Sequence, residues 1–152
     1  MKYDIITVGS AVMDFFVGTD VKDAKGNLCL PAGSKILMKD FAMATGGGGT
    51  NTAVGFSRLG LKTGFIGKVG DDLHGKVILD ELRNEDVNFL GKVGKEQTGV
   101  SVILDSAQRK RTVLTYKGAG DFIDGFPHGL DTKWLYLSSL IGKSLKTEIE
   151  IA

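Results

Sequence analysis

The sequence predicts an α/β fold in which a parallel β-sheet with helices is joined to a smaller β-sheet. Two observations support this prediction. In one part of the sequence, apolar stretches of strand length alternate with stretches that repeat apolar residues at helical spacing, as in a parallel sheet. In the other part, strand-like stretches follow one another through turn-rich segments such as KDAKGN and DSAQRK, without helical patterns between them.

The elements of the parallel sheet follow from the spacing of apolar residues. The two predicted helices are expected to bury apolar faces made of Ala53, Val54, Phe56 and Leu59 and of Leu73, Val77, Ile78 and Leu82. Asp71 or Asp72 is expected to cap the second helix. The predicted elements are strand 3–8, helix 50–59, strand 63–67, helix 72–84, strand 87–90 and a further buried strand at 134–140.

The smaller sheet is expected to form from segments 13–19, 27–30, 35–44, 100–105 and 111–117, which should pair with one another. Alternation along segment 100–105 places Ser101 and Ile103 on one face of this sheet. Val100, Val102 and Leu104 lie on the other face.

Four consecutive glycines, Gly46 to Gly49, precede the first predicted helix and indicate a ligand cradle. Residues without a Cβ allow the main chain to approach a small molecule closely. Thr50 or Asn51 is expected to cap the helix, whose free N–H groups point toward the same space. The first predicted strand ends shortly before Asp14, so this carboxylate is a second candidate for ligand contact.

This pattern resembles the first signature of the ribokinase-like (pfkB-type) carbohydrate kinases. The signature consists of two glycines, a further small residue, an asparagine, another small residue and two later glycines. These positions are filled here by Gly46, Gly47, Gly49, Asn51, Ala53, Gly60 and Gly70. The resemblance also covers the first strand with Asp14 and the segments TGVSVIL and RTVLTYKGAG, so essentially the whole chain is similar to the N-terminal half of such a kinase.

The resemblance implies a ribokinase-like fold, with a partial Rossmann-type parallel sheet and a small β-sheet lid that closes over the substrate. It implies phosphoryl transfer from ATP, with Mg²⁺, to a hydroxyl of a sugar or nucleoside. The substrate-binding residues that it implies are Asp14, Gly46, Gly47, Gly48, Asn51 and Ile103. Ribokinases proper carry an asparagine where this chain has Val12 and a lysine where it has Gly48, which argues against ribose.

The residues by themselves leave other roles open for these positions. Asp14 also suits a strand-end acid that caps a turn, and Asn51 suits a helix cap alone. The paired glycines also suit a flexible turn, and Ile103 also suits plain packing within its sheet.

The same resemblance implies that the chain is one part of a larger kinase domain. Residues 1–152 correspond to the N-terminal part of a ribokinase-like domain, with lid segments at approximately 13–45 and 98–117 inserted in the α/β core. The catalytic base is expected in an absent C-terminal half, and a helix is predicted to begin just after Gly142. GAGD at Gly118 to Asp121 is rejected as the catalytic motif because it follows a strand, so Asp121 is expected to be a surface turn residue.

These expectations lead to two functional hypotheses. In the first, the chain is the substrate-binding half of a kinase and has no activity alone. In the second, it is a non-catalytic sugar-binding or assembly module, or one piece of a split kinase. An incomplete parallel sheet exposes apolar surface, so self-association through the lid sheet or the exposed core is expected in either case.

Composition excludes several other classes of protein. Nineteen basic and 18 acidic residues leave no excess of positive charge for nucleic acid or an anionic membrane surface. No apolar run approaches the length of a membrane span. The single cysteine, Cys29, excludes an internal disulfide, and the N-terminus reads as a core strand instead of a secretory signal, so the cytoplasm is the expected compartment.

Overall fold

The computed structural model describes residues 2–123, 125, 129–140 and 143–146. Within those ranges it contains ten strands, two α-helices and one short 3-10 helix, and residues 143–146 are also helical. In chain order these are β1 (Lys2–Val8), β2 (Val12–Gly18), β3 (Asp40–Gly46), α1 (Gly48–Arg58), β4 (Thr63–Ile66), β5 (Lys68–Gly70), α2 (Leu73–Asn84), β6 (Asn88–Phe89), β7 (Lys92–Gly94), β8 (Gly99–Asp105), β9 (Arg111–Tyr116), the 3-10 helix (Gly118–Phe122) and β10 (Asp131–Leu137).

The larger sheet has the strand order β10-β1-β4-β6, and all its strands run parallel. One of its faces packs against α1 and α2 through a cluster that includes Ala53, Phe65 and Ile78. Its other face forms a second cluster around Ile6 and Ile66. The parallel α/β architecture predicted from the sequence is confirmed.

The small sheet has the order β3-β2-β8-β9. Its central pair, β2 and β8, is parallel, whereas the two outer pairs are antiparallel. The predicted pairing is therefore confirmed for segments 13–19, 100–105 and 111–117 and for the later part of 35–44. The pairing of β5 with β7 in a separate two-stranded parallel ribbon was not predicted.

Two predicted segments of the small sheet differ from the structure. The strand predicted at 27–30 is wrong, because Asn27 forms only an isolated bridge with Ala24. The strand predicted at 35–44 begins later, at Asp40, after a turn in which the backbone N–H of Ser34 donates to the carbonyl of Pro31. Proline and glycine in the stretch 31–33 favour this turn over extended pairing.

The prediction of a buried strand near residue 134 is also wrong in part. The strand exists as β10, but it lies at the edge of the larger sheet and Trp134 is 72% exposed. Apolar runs alone do not distinguish a central strand from an uncovered edge strand. Residues 143–146 are helical, and the rest of the helix predicted after Gly142 lies outside the described residues.

The apolar faces predicted for the two helices are only partly buried. Ala53, Ile78 and Leu82 are buried as expected, whereas Leu59, Leu73 and Val77 are exposed. Leu59 is the C-cap of α1 and Leu73 is the first residue of α2, whereas Val77 lies within α2, so the predicted apolar face of α2 is wider than the buried one. Within the ranges that the structure describes, none of the helices is long and apolar enough to span a membrane.

Candidate functional site

The two sheets meet where β1 passes into β2 and where β3 passes into α1. The first connection consists of Gly9, Ser10 and Ala11, and the second of Gly47 alone. The chain leaves the larger sheet through the first connection and returns to the helices of the core through the second. Both connections lie near the carboxyl end of β1, and open α/β sheets bind ligands at this edge. A groove of about 370 Å³ opens beside this junction, along one face of the small sheet.

The register of the small sheet determines which side chains line this groove. Asp14 on β2 pairs with Ser101 on β8, and Ser101 pairs with Thr115 on β9, so three polar side chains form one row across the sheet. The next row toward the far end of the sheet is apolar and consists of Phe16, Ile103 and Val113. A surface that combines a carboxylate, hydroxyl groups and an apolar patch suits a polyhydroxylated ligand.

The carboxylate of Asp14 lies partly inside the protein. Burial raises the pKa of Asp14, and a hydrogen bond from the Ser101 hydroxyl only partly offsets this effect. A Cβ at Gly46 would overlap with the Asp14 carboxylate, so the glycine makes room for this side chain. The sequence did not assign Ser101 to the site, although its placement on the same face as Ile103 pointed to it.

Of the four consecutive glycines at 46–49, Gly47 is the one that lines the groove. Its backbone has φ 110 and ψ 143, a conformation that residues with a Cβ rarely adopt. A Cβ at this position would also overlap with the carbonyl oxygen of Ser10. The requirement for a residue without a side chain is therefore clear at this position.

The prediction that Thr50 or Asn51 caps α1 is wrong. The helix begins earlier, at Gly48, with Gly47 as its N-cap and no capping side chain from Gly47 itself. The hydroxyl of Thr50 donates to the carbonyl of Gly46 at 2.7 Å, and Asn51 lies exposed within the first turn.

The first N–H groups of α1 are satisfied by Ser10 of the β1–β2 connection. The Ser10 hydroxyl oxygen accepts from the N–H of Gly48 at 3.1 Å, and its carbonyl accepts from Gly49 at 3.1 Å and from Thr50 at 3.4 Å. These amides are therefore occupied by the protein, contrary to the expectation that they point freely into the cradle. The sequence offered no local signal for this role, because Ser10 lies 38 residues before the helix.

The remaining predicted site residues take different positions. Gly48 packs against Ser138, whose hydroxyl would overlap with a Cβ at that position. Asp14, Gly47 and Ile103 line the groove, and Gly46 backs the Asp14 carboxylate, whereas Gly48 and Asn51 are not among the lining residues. A second cavity of about 560 Å³ lies at the far end of the small sheet and shares Phe16 and Arg111 with the groove, but contains none of the predicted site residues.

Asp121 lies in the 3-10 helix that follows β9 instead of in a simple turn. This helix is fixed to the segment before β8, since the N–H of Ala119 donates to the carbonyl of Gln97 at 2.7 Å. Asp121 does not line the groove. Thr115 and Lys117 also line the groove and were not predicted. The pairing of β9 with β8 brings Thr115 into the row of Asp14, and Lys117 follows the end of β9.

Comparisons with known proteins agree with this architecture. A sequence profile described as pfkB family carbohydrate kinase matches residues 2–148. Ribokinase of Bacillus subtilis is 33% identical over 122 residues, which cover 79% of this chain and 39% of that enzyme. The 5-dehydro-2-deoxygluconokinase of Listeria innocua is 35% identical over 120 residues, which cover 76% of this chain and 33% of the enzyme.

Among solved structures, Arabidopsis thaliana ribokinase complexed with ribose and ATP is similar, with a TM-score of 0.66 and 27% identity. The match covers 78% of this chain and 37% of that structure. The chain thus spans between a third and two fifths of the length of these relatives.

Proposed function

Since the chain belongs to the pfkB family of carbohydrate kinases, we propose that it forms the substrate-binding part of an ATP-dependent kinase. The reaction is transfer of a phosphoryl group from ATP to a hydroxyl of a sugar or nucleoside. The two relatives described above carry names that refer to different substrates, so the proposal extends only to this class. The small sheet is proposed to act as the lid of the site, with segments 13–45 and 98–117 inserted in the α/β core.

The observation that carries this proposal is the position of Asp14 in the groove. Its carboxylate lies partly buried between Gly46 and the Ser101 hydroxyl, at the carboxyl end of β1. An ionised carboxylate accepts charge-assisted hydrogen bonds from adjacent hydroxyls of a ligand, which compensate for its desolvation. Gly47 and Ile103 border the same space, and with Gly46, Gly48 and Asn51 they remain the proposed substrate-binding residues.

The nucleotide and its Mg²⁺ belong to the proposed whole enzyme. Among the residues that the structure describes, no group of three His, Cys, Asp or Glu side chains is arranged to hold a metal ion. We therefore assign no metal ligand to this chain and derive no step through the metal. In this proposal a further C-terminal segment supplies the catalytic base and most of the nucleotide site, and the 152 residues alone transfer no phosphate.

The contribution of this chain to catalysis is positioning. Asp14 orients the substrate hydroxyls, the apolar row around Ile103 packs against the carbon skeleton, and the small sheet excludes water. Holding a substrate hydroxyl in the correct geometry accounts for much of the rate enhancement in phosphoryl transfer. Exclusion of water favours transfer to the substrate over hydrolysis.

A non-catalytic sugar-binding module, or one piece of a split kinase, is the second candidate function. It is supported by the groove, whose lining residues lie on or beside the small sheet and on the two connections to the larger sheet. An ADP-release assay with ATP, Mg²⁺ and a panel of sugars and nucleosides is expected to show no turnover for the chain alone. Turnover in this assay would show instead that the chain is an active enzyme by itself. Recovery of activity on addition of a C-terminal kinase fragment would identify a split enzyme, and binding without such recovery would identify a module.

Replacement of Asp14 by asparagine is expected to weaken sugar binding about tenfold or more, because charge-assisted hydrogen bonds to the carboxylate are lost. The pKa of Asp14 is higher in the folded state than in the unfolded state, so ionisation of this carboxylate lowers the stability of the folded chain. This destabilisation is absent below the unfolded-state pKa, grows as the pH rises, and is complete above the folded-state pKa. Asp14→Asn should therefore unfold at a higher temperature than the parent chain at pH 7, and this difference should disappear near pH 3.

Sugar affinity is measured by a ligand titration monitored by NMR. The unfolding temperature is measured by thermal unfolding scans at pH 7 and near pH 3. Asp80→Asn is the matched control, since Asp80 is an exposed residue of α2 that pairs with Arg83. Unchanged sugar affinity in Asp14→Asn would contradict the proposed role. A lower unfolding temperature at pH 7 would show that Asp14 is a structural residue instead.

Self-association is proposed from the exposed apolar residues of two surfaces. Phe41 and Met43 project from the face of the small sheet opposite the groove, and Trp134 lies on the uncovered strand β10. We expect the chain to sediment as a species larger than its 16.2 kDa monomer. Met43→Glu and Trp134→Glu, measured separately by sedimentation velocity, identify which surface is responsible, and a monomeric parent chain would contradict the proposal.

A further inference from the structure

A buried lysine contacts the chain on both sides of the β8–β9 hairpin. Lys68 of β5 is 7% exposed, and β5 lies between β4 of the larger sheet and α2 in the chain. Its Nζ atom donates to the carboxylate of Glu96, just before β8, at 3.1 Å, and to the carbonyl of Phe122, at the end of the 3-10 helix that follows β9, at 3.0 Å. Gly94 leaves room for this pair, because a Cβ at that position would overlap with both side chains. One ammonium group therefore joins the core to the entrance and to the exit of the hairpin.

Further hydrogen bonds attach the same two segments to each other and to the core. The N–H of Ala119 in the 3-10 helix donates to the carbonyl of Gln97. The hydroxyl oxygen of Thr98 accepts from the N–H of Gly70, the last residue of β5, at 2.9 Å, and the hydroxyl donates to Asp72 at the start of α2 at 2.7 Å. The base of the β8–β9 hairpin is therefore attached to β5, to α2 and to the 3-10 helix.

The other two strands of the small sheet join the core beside the groove, where β2 follows the first connection and β3 precedes the second. The groove is lined by residues of these connections, Ser10 and Gly47, and by residues of the sheet itself, such as Asp14 and Ser101. Its shape therefore depends on the orientation of the small sheet relative to the connections. Lys68 is not one of the lining residues, so it can affect the groove only through this orientation.

The ion pair between Lys68 and Glu96 suits a positioning role better than a purely stabilising one. A buried ion pair adds little net stability, since the loss of hydration offsets much of the attraction between the charges. The Glu96 side chain is 34% exposed, whereas Lys68 is buried. An apolar residue of similar size at position 68 would fill the same space, but it would not bind a carboxylate and a carbonyl at once. The contribution of Lys68 is therefore expected in the position of the hairpin and not in stability alone.

We propose that Lys68 is a positioning residue for the groove, which holds the base of the β8–β9 hairpin against the core and thereby fixes the orientation of the small sheet. This inference rests on the proposed function of the groove and adds a residue that lies outside it. β2 and β8 are paired along their full lengths, so the hairpin and Asp14 move together. A sheet that is free to tilt has the binding-competent orientation for only part of the time, and the apparent affinity falls by that fraction.

The test uses Lys68→Met, which keeps the length and the apolar stem of the side chain but removes the ammonium group. Leu82→Ala is the matched control, because Leu82 is buried near the end of α2 and its truncation lowers stability within the core. Glu96→Gln removes the charge of the partner and keeps its shape, and it supplies the same test if Lys68→Met does not fold. Native-state hydrogen exchange measured by NMR compares the amides of the small sheet with those of β1 and β4, and titrations with D-ribose, D-fructose and adenosine measure affinity.

In Lys68→Met we expect exchange in the small sheet to increase about tenfold or more relative to exchange in β1 and β4, because the small sheet opens locally. The affinity for a probe that binds the parent chain should fall about fivefold or more. Leu82→Ala should not increase exchange in the small sheet relative to the core, and it should leave the affinity within about twofold. Glu96→Gln should show the same selective pattern as Lys68→Met, to a smaller extent.

Two results would overturn the inference while leaving the proposed function intact. The first is an equal increase of exchange in both sheets of Lys68→Met, which would show that the ion pair contributes only to global stability. The second is a selective increase in the small sheet with unchanged affinity, which would show that the attachment does not position the groove. If none of the three probes binds the parent chain, the proposed function is contradicted and the positioning role of Lys68 falls with it, although selective exchange would still establish Lys68 as the anchor of the small sheet.

Discussion

Replacement of Gly47 by alanine is expected to reduce the free energy of unfolding by about 4 kcal/mol, a large part of the total stability of a domain of this size. Gly47 joins β3 to α1 with φ 110 and ψ 143, where a residue with a Cβ is strained. The added Cβ would also meet the carbonyl group of Ser10 and lie 3.0 Å from the Cα of Ala11.

The loss should be large because Ser10 cannot move without a second cost. Its carbonyl and hydroxyl oxygens accept from the first three N–H groups of α1. Displacement of Ser10 by the new methyl group would leave these donors without partners at the start of the helix. The strain at Gly47 and the loss of this cap therefore add to each other.

Urea unfolding followed by circular dichroism measures this effect, and the same helix supplies the control. Gly55 lies on the exposed side of α1, and no atom lies within 4 Å of the position that its Cβ would occupy. Gly55→Ala should therefore stabilise the chain by roughly 0.5–1 kcal/mol through helix propensity. If the two variants changed stability in the same direction, the conformational argument for Gly47 would be wrong.

Replacement of Asp72 by alanine is expected to cost about 3 kcal/mol, because this side chain accepts three hydrogen bonds. As the N-cap of α2 it accepts from the N–H of Gly75 at 2.8 Å. It also accepts from the N–H and the hydroxyl of Thr98, both at 2.7 Å. Thr98 immediately precedes β8, so Asp72 links α2 of the core to the central pair of the small sheet.

The contribution of Asp72 depends on pH. Burial opposes its ionisation, but the hydrogen bonds from Thr98 and Gly75 outweigh burial and lower the pKa of Asp72. A lowered folded-state pKa means that the stabilisation is fully present above the unfolded value near 3.9 and is lost as the pH falls through the folded value. The stability difference between the parent chain and Asp72→Asn should therefore be constant above about pH 5 and shrink toward pH 2.

Chemical unfolding across this pH range checks both statements. Asp71→Ala is the matched control, since Asp71 is the exposed neighbour of Asp72. Asp71→Ala should change the free energy of unfolding by less than about 0.5 kcal/mol. An equal loss in the two alanine variants, or an Asp72 contribution that does not vary with pH, would refute the proposed hydrogen-bond network.

Several features of the fold and of the candidate site were predictable because they depend on neighbours in the sequence. The cap of α2 was expected at Asp71 or Asp72 and is Asp72, since capping joins residues three positions apart. The same-face placement of Ser101 and Ile103 followed from strand alternation. The cap of α1 was assigned wrongly because its partner, Ser10, comes from a distant connection that local rules do not include.

The sequence by itself determined the α/β class, the separate pairing of the small sheet and the concentration of site candidates around Asp14 and the glycine run. Local periodicity, turn chemistry and residues without a Cβ carry that information. Only the tertiary structure decided that Lys117 shares a groove with Asp14, that Ser10 occupies the amides of α1 and that β10 is exposed. These features depend on strand register and on contacts between segments far apart in the chain, which are determined by the packing of the whole fold.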